Sequence, residues 1–105
     1  MTHATHVTEL AFDDIDHIVF EGRKFCLTGN FVYAPRPACE QQVIARGGEV
    51  TSGVSKKVHY VVVGSLGSQE WKHGSFGTKI EKAMQLKQAG AAIVVVKEDV
   101  WAAAL

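Results

Sequence analysis

The run Val58-His59-Tyr60-Val61-Val62-Val63 has almost no polar face. A strand that is apolar on both sides must be covered on both sides, which is the situation of a central strand in a parallel sheet. Ile93-Val94-Val95-Val96 is a second run of strand length and the same character. Phe25-Cys26-Leu27 is a third, shorter one, and it stops abruptly at Thr28-Gly29. Glu49-Val50-Thr51 reads as a further short strand.

Helical segments separate these strands. Arg36-Pro37 opens the first, since proline is tolerated in a first turn, and Gly47-Gly48 closes it. Ala38, Val43 and Ile44, with Cys39 nearby, are expected on its inner face. Thr78-Lys79-Ile80-Glu81 has the form of a capping box and starts the second helix, which carries Ile80, Ala83 and Met84 at helical spacing and ends at Gly90. The last segment, 97–105, begins with the acids Glu98-Asp99 and carries Trp101 on its inner side. Strand, helix, strand, strand, helix, strand, helix is the order of an α/β fold, a small parallel sheet with helices on its faces.

A chain of 105 residues, 47% hydrophobic and 21% charged, is sized for one domain with one core. No apolar run approaches the roughly 20 residues needed to cross a bilayer. The polar start Met1-Thr2-His3 lacks the pattern of a signal peptide, so a cytoplasmic protein is expected. The net charge of zero conceals a division. Glu9, Asp13, Asp14, Asp16 and Glu21 precede every Lys and Arg, and the remainder holds all eleven bases against six acids. Residues 1–19 are therefore expected to be an acidic, mobile leader or linker ahead of a basic domain, 20–105.

Several groups bear on chemistry. In a parallel sheet the strand ending at Thr28 delivers its carboxyl end to the edge where helix N-termini gather and where ligands of such sheets bind. Thr28 offers a hydroxyl, Gly29 a backbone N–H that an anion can approach closely, and Arg36 a fork of donors. Lys79 and Lys82 lie in the first turns of the second helix, where cations are unfavourable unless they serve an anion. The alternative is that both merely solvate an exposed face. Lys56-Lys57 is either a solvated turn or a contact to nucleic-acid backbone. Trp71, in the glycine-rich segment 64–77, either packs on the core as a lid or stacks on a base.

Catalytic readings find little support. Gly77-Thr78-Lys79 reverses the order of a nucleotide-binding G-K-[ST] motif, and the upstream glycine spacing is wrong. Cys26 and Cys39 read as buried reduced thiols. Neither CxxC nor HxxxH occurs to make a zinc site, so no metal or cofactor is expected.

The blocks F-C-L-T-G, A-R-G-G-E-V-T-S-G-V-S-K-K-V-H-Y-V-V-V-G, G-T-K-I-E-K-A and Val100-Trp101, in this order, resemble a BRCT domain over about 20–105. The resemblance implies a four-stranded parallel sheet flanked by three helices. It is nearest in pattern to the single BRCT domains of bacterial NAD-dependent DNA ligases and of the replication factor C large subunit. The latter implies that Thr28, Gly29, Arg36, Lys79 and Lys82 recognise the 5′-phosphate of DNA ends or nicks. Tandem BRCT proteins instead hold phosphoserine at the matching Thr-Gly and first-lysine positions, so phosphorylated or other protein partners are the alternative. The function implied is a non-catalytic binding module in DNA repair or replication, at the nucleoid in a bacterium or in the nucleus of a eukaryote. Two departures stand out: the leader is acidic where the replication-factor type is basic, and the 64–77 segment is long. Its inserted Gln69-to-His73 stretch is similar to BRCT segments of bacterial exonuclease-type and DNA polymerase III epsilon-like proteins.

Overall fold

The computed structural model describes residues 13, 15, 17–65 and 78–105, with Thr78 described by its backbone alone. Its elements are β1 (Lys24–Thr28), α1 (Arg36–Ala45), β2 (Glu49–Val50), β3 (Tyr60–Val63), α2 (Thr78–Gln88), β4 (Val94–Lys97) and α3 (Glu98–Ala103). The four strands lie in the order β2-β1-β3-β4, and every neighbouring pair is parallel. This is the α/β architecture expected from the sequence.

Strand alternation divides the core into two layers. Phe25, Leu27, Val62 and Val96 face α1 and α3, where they join Cys39, Val43, Phe31 and Trp101. Cys26, Val61, Val63 and Val95 face the other way and are covered by Ile80 and Ala83 of α2. β3 is thus buried on both faces, as its composition requires. Its paired part is shorter than the apolar run, because the Val58 N–H turns back to the Ser55 carbonyl at 3.0 Å. The inner face of α1 also differs from expectation. Cys39 and Val43, four apart, share the buried side, while Ala38 and Ile44 point outward and Ile44 is 48% exposed. One residue of offset rotates a helical side chain by about 100°, which carries Ile44 off a stripe centred on 39 and 43.

The described residues before β1 are packed. Ile18 and Phe20 are buried in the α1–α3 layer, where the Phe20 and Phe25 rings stack at 5.3 Å and Phe25 stacks on Tyr60 at 4.8 Å. Asp13 lies along the outer edge of β4. Its N–H donates to the Val95 carbonyl at 2.8 Å, and its carboxylate accepts from the Val95 N–H at 2.7 Å and from Lys87 Nζ at 2.5 Å. An edge strand exposes unpaired backbone groups, and Asp13 occupies those of Val95.

β1 and β3 leave the sheet side by side. The Gly64 N–H donates to the Thr28 carbonyl at 2.9 Å, and Gly29 has the positive φ of +82°. A Cβ on Gly64 would lie 2.1 Å from the Asn30 oxygen and 2.9 Å from Phe31 Cδ1, so the two exits fit together only while Gly64 has no side chain. Gly64→Ala is expected to lower stability by about 3 kcal/mol, read as a fall in the urea midpoint at unchanged slope.

Candidate functional site

The topology itself marks one place on the sheet. From β1 the chain turns through α1 to β2 on one side, and from β3 it turns through α2 to β4 on the other. The two adjacent strands therefore lead to helices on opposite faces, which makes their carboxyl ends a switch point, the place of the crevice in such sheets. Such switch points are where open α/β sheets bind ligands. The floor of the crevice consists of Gly29 and Gly64, close enough that a Cβ on Gly29 would touch the Gly64 nitrogen at 3.6 Å.

Thr28 is half-buried, and alternation places its side chain on the same face as Cys26, beneath α2. Arg36 begins α1 and Lys79 is the second residue of α2, the helices that follow these two strands. The thiol of Cys26 is pushed up by burial, and the charges of Lys79 and, more weakly, Arg36 pull it back down, together with a hydrogen bond from Thr51. A single buried sulfur two residues before Thr28 thus senses both the α1 and the α2 cation. Lys79 is half-buried and Arg36 exposed. Lys82 is exposed and lies a turn further along α2, which runs away from the crevice.

A third helix enters the site through a residue that the sequence reading took for a simple helix start. Glu98, the first residue of α3, is only 4% exposed. Its Oε1 accepts the N–H of Val32 at 3.0 Å and of Ser65 at 2.8 Å, and its Oε2 accepts the N–H of Tyr33 at 2.6 Å. Burial alone would push this carboxyl up, but the hydrogen bonds from Ser65, Val32 and Tyr33 outweigh it and hold the group below the usual carboxylate range. The carboxylate therefore ties the segment leaving β1 to the segment leaving β3. Sequence reasoning missed it, and the available signal was an acid directly after a strand at the ligand-binding edge.

A model of the BRCA1 C Terminus (BRCT) domain family matches residues 16–98. The chain belongs to the BRCT family. Among curated proteins, this BRCT domain is 36% identical over 69 residues to a DNA ligase of Syntrophomonas wolfei subsp. wolfei, which covers 66% of the chain and 9% of that ligase. It is 39% identical over 71 residues to a DNA ligase of a Thermoanaerobacter species, covering 67% of the chain and 11% of the relative. A Halothermothrix orenii DNA ligase is 35% identical over 83 residues, 79% of the chain and 10% of the relative. The chain therefore spans about a tenth of the length of the relatives it matches.

The other residues singled out in the sequence lie elsewhere. Lys56 and Lys57 are exposed in the turn that enters β3, where the His59 N–H bonds the Lys24 carbonyl at 2.9 Å. This is the amino-terminal edge of the sheet, opposite Thr28. Trp71 and the Thr78 cap lie outside the described residues and side chains. Cys26 and Cys39 occupy different layers of the core, and among the described residues no three His, Cys, Asp or Glu side chains converge as metal ligands. No described helix is long and apolar enough to cross a membrane.

Two measurements follow from these environments. Burial raises both thiols above their ordinary value, with Glu98 adding to the effect at Cys39, so neither is expected to react with a thiol reagent at neutral pH until the domain unfolds. Because the folded state depresses the Glu98 carboxyl, the unfolded chain binds the extra proton in acid. Its stabilisation is complete above the unfolded value of about 4.3 and is lost as pH falls through the lower folded value. Below about pH 4 the urea midpoint should therefore fall more steeply in the unsubstituted domain than in Glu98→Gln.

Proposed function

We propose that the crevice is a phosphate site and that this BRCT domain is a non-catalytic module binding the 5′-phosphate of DNA ends or nicks. The observation that carries this reading is the contact of Gly29 with Gly64 at the switch point, with Arg36 and Lys79 at the starts of the helices that follow the two strands. On this reading Thr28 donates its hydroxyl and Gly29 its N–H to the phosphate. Lys79 neutralises it, and Arg36 with Lys82 reaches the flanking backbone. The similarity to DNA ligases supports DNA as the source of the phosphate. The acidity before β1 is also partly spent: Asp13 pairs with Lys87, about 12 Å along α2 from Lys79 by the rise of a helix.

A protein partner is the second reading. Val32 and Tyr33, beside the crevice, are 66% and 49% exposed, an apolar rim that a peptide or a partner surface would cover. Salt separates the two, since binding to phosphates weakens steeply as salt rises and apolar contact does not.

The deciding experiment is fluorescence anisotropy of the full chain with a duplex bearing a recessed 5′-phosphate, beside the same duplex with a 5′-hydroxyl, at low and moderate salt. Phosphate should be preferred by about tenfold or more, and folded Thr28→Ala and Lys79→Ala proteins should lose that preference. Equal, weak binding of both duplexes would overturn the reading and favour the protein partner.

A further inference from the structure

Past their ends, β1 and β3 lead to helices on opposite faces of the sheet, α1 and α2. Beyond the Gly64–Thr28 hydrogen bond, a buried carboxylate joins the described residues of the two exits. Glu98 takes N–H groups from Val32 and Tyr33 on one side and from Ser65 on the other, and Asp99 adds an acceptor for the Ser65 hydroxyl at 3.3 Å. Trp101, one turn later, meets the Phe31 ring at 5.7 Å and the Tyr33 ring at 5.6 Å, both edge to face. α3 therefore grips the 31–33 segment by its backbone and by its side chains.

An anion at this position works against a phosphate site electrostatically, and three N–H groups that could face a ligand are spent on it. A buried acid held there is explained if geometry matters more than charge. Pinning both walls fixes where Gly29 and the crevice floor sit before a ligand arrives, so binding does not have to order them. We propose that Glu98 is a positioning residue of the phosphate site, clamping its two walls at a fixed separation without touching the ligand. This inference rests on the phosphate reading above.

The test uses Glu98→Gln and Glu98→Ala in the full chain, with Val43→Ala as a comparison that weakens the core away from the crevice. In Glu98→Gln, one oxygen becomes an NH₂ that faces backbone donors. All three proteins are studied at a temperature where circular dichroism shows them folded. If Glu98 positions the site, both Glu98 variants lose the preference for the 5′-phosphate duplex by tenfold or more while Val43→Ala keeps it. Formate at constant ionic strength should partly restore the preference in Glu98→Ala by filling the vacated acceptor position. Retention of the preference in the Glu98 variants, or an equal loss in Val43→Ala, overturns the proposal.

Amide hydrogen exchange provides a readout that needs no ligand. Glu98→Gln should speed exchange at Val32, Tyr33 and Ser65 and shift the Gly29 amide, leaving Val61 and Val62 unchanged. Unchanged exchange at those three amides also overturns the clamp. If the unsubstituted chain shows no phosphate preference, the phosphate reading fails and takes the ligand role of Glu98 with it, and the exchange data alone then report whether the clamp exists.

Discussion

The contact between Gly64 and the Asn30 carbonyl sets the rest of this structure. Parallel pairing brings Thr28 and Val63 into register, so both strands must leave the sheet at the same height. With no side chain at Gly64, the backbone after β1 can cross directly in front of it, and the two exits then part toward α1 and α2. A larger residue would push the exits apart, breaking the Gly64–Thr28 hydrogen bond and displacing Phe31 from the layer it shares with Trp101. The crevice is thus a consequence of how two central strands end, and the helices on either face follow from it.

The two layers of the core are built differently, and this bears on the site. The α2 layer is aliphatic: Ile80 and Ala83, with Met84 and Leu86 beside them, cover Cys26 and a field of valines. The opposite layer is aromatic, with Phe20, Phe25, Phe31 and Trp101, and it is there that the chain before β1 and α3 both pack. Trp101 is fully buried, and among the described residues its Nε1 has no acceptor. An unpaired donor costs on the order of 1 to 3 kcal/mol, which burial of a whole indole against two aromatic neighbours offsets. Rigidity on this side and access on the other are what a loop needs if it is to be held from behind while facing a ligand.

Much of this was legible in the sequence, for local reasons. Val58 to Val63 declared a doubly covered strand, proline and glycine marked the ends of α1, and Trp101 was assigned to the core. The misplaced Ile44 shows the limit of apolar counting on a short helix, where the stripe centred on Cys39 and Val43 leaves the next residue outside. The candidate site was legible only as separate pieces: Thr28, Gly29, Arg36 and Lys79 could be proposed from chain position, as candidates. The long-range part could not. Glu98 meets its partners across 33 to 66 residues, and nothing local distinguishes an acid that binds distant amides from one that complements a helix dipole. Lys56 and Lys57 show the converse: a basic pair attracts notice in sequence, and strand direction places it at the edge of the sheet opposite Thr28.

The electrostatics of the crevice bear on which phosphate it would suit. At Cys26 the pull of Lys79 and Arg36 is real but smaller than the effect of burial, and Glu40 opposes it. An internal phosphodiester carries a single diffuse charge, which bare surface lysines attract. A terminal phosphate differs in carrying close to two charges and three strong acceptor oxygens, with a substituent on one side only. It can approach end-on, reach N–H groups on a glycine floor, and make short charge-assisted bonds with fewer neighbouring sugars in the way than a diester has. Under the proposed reading, specificity for an end over the interior of a duplex would then come from the shape of the floor more than from the number of cations around it.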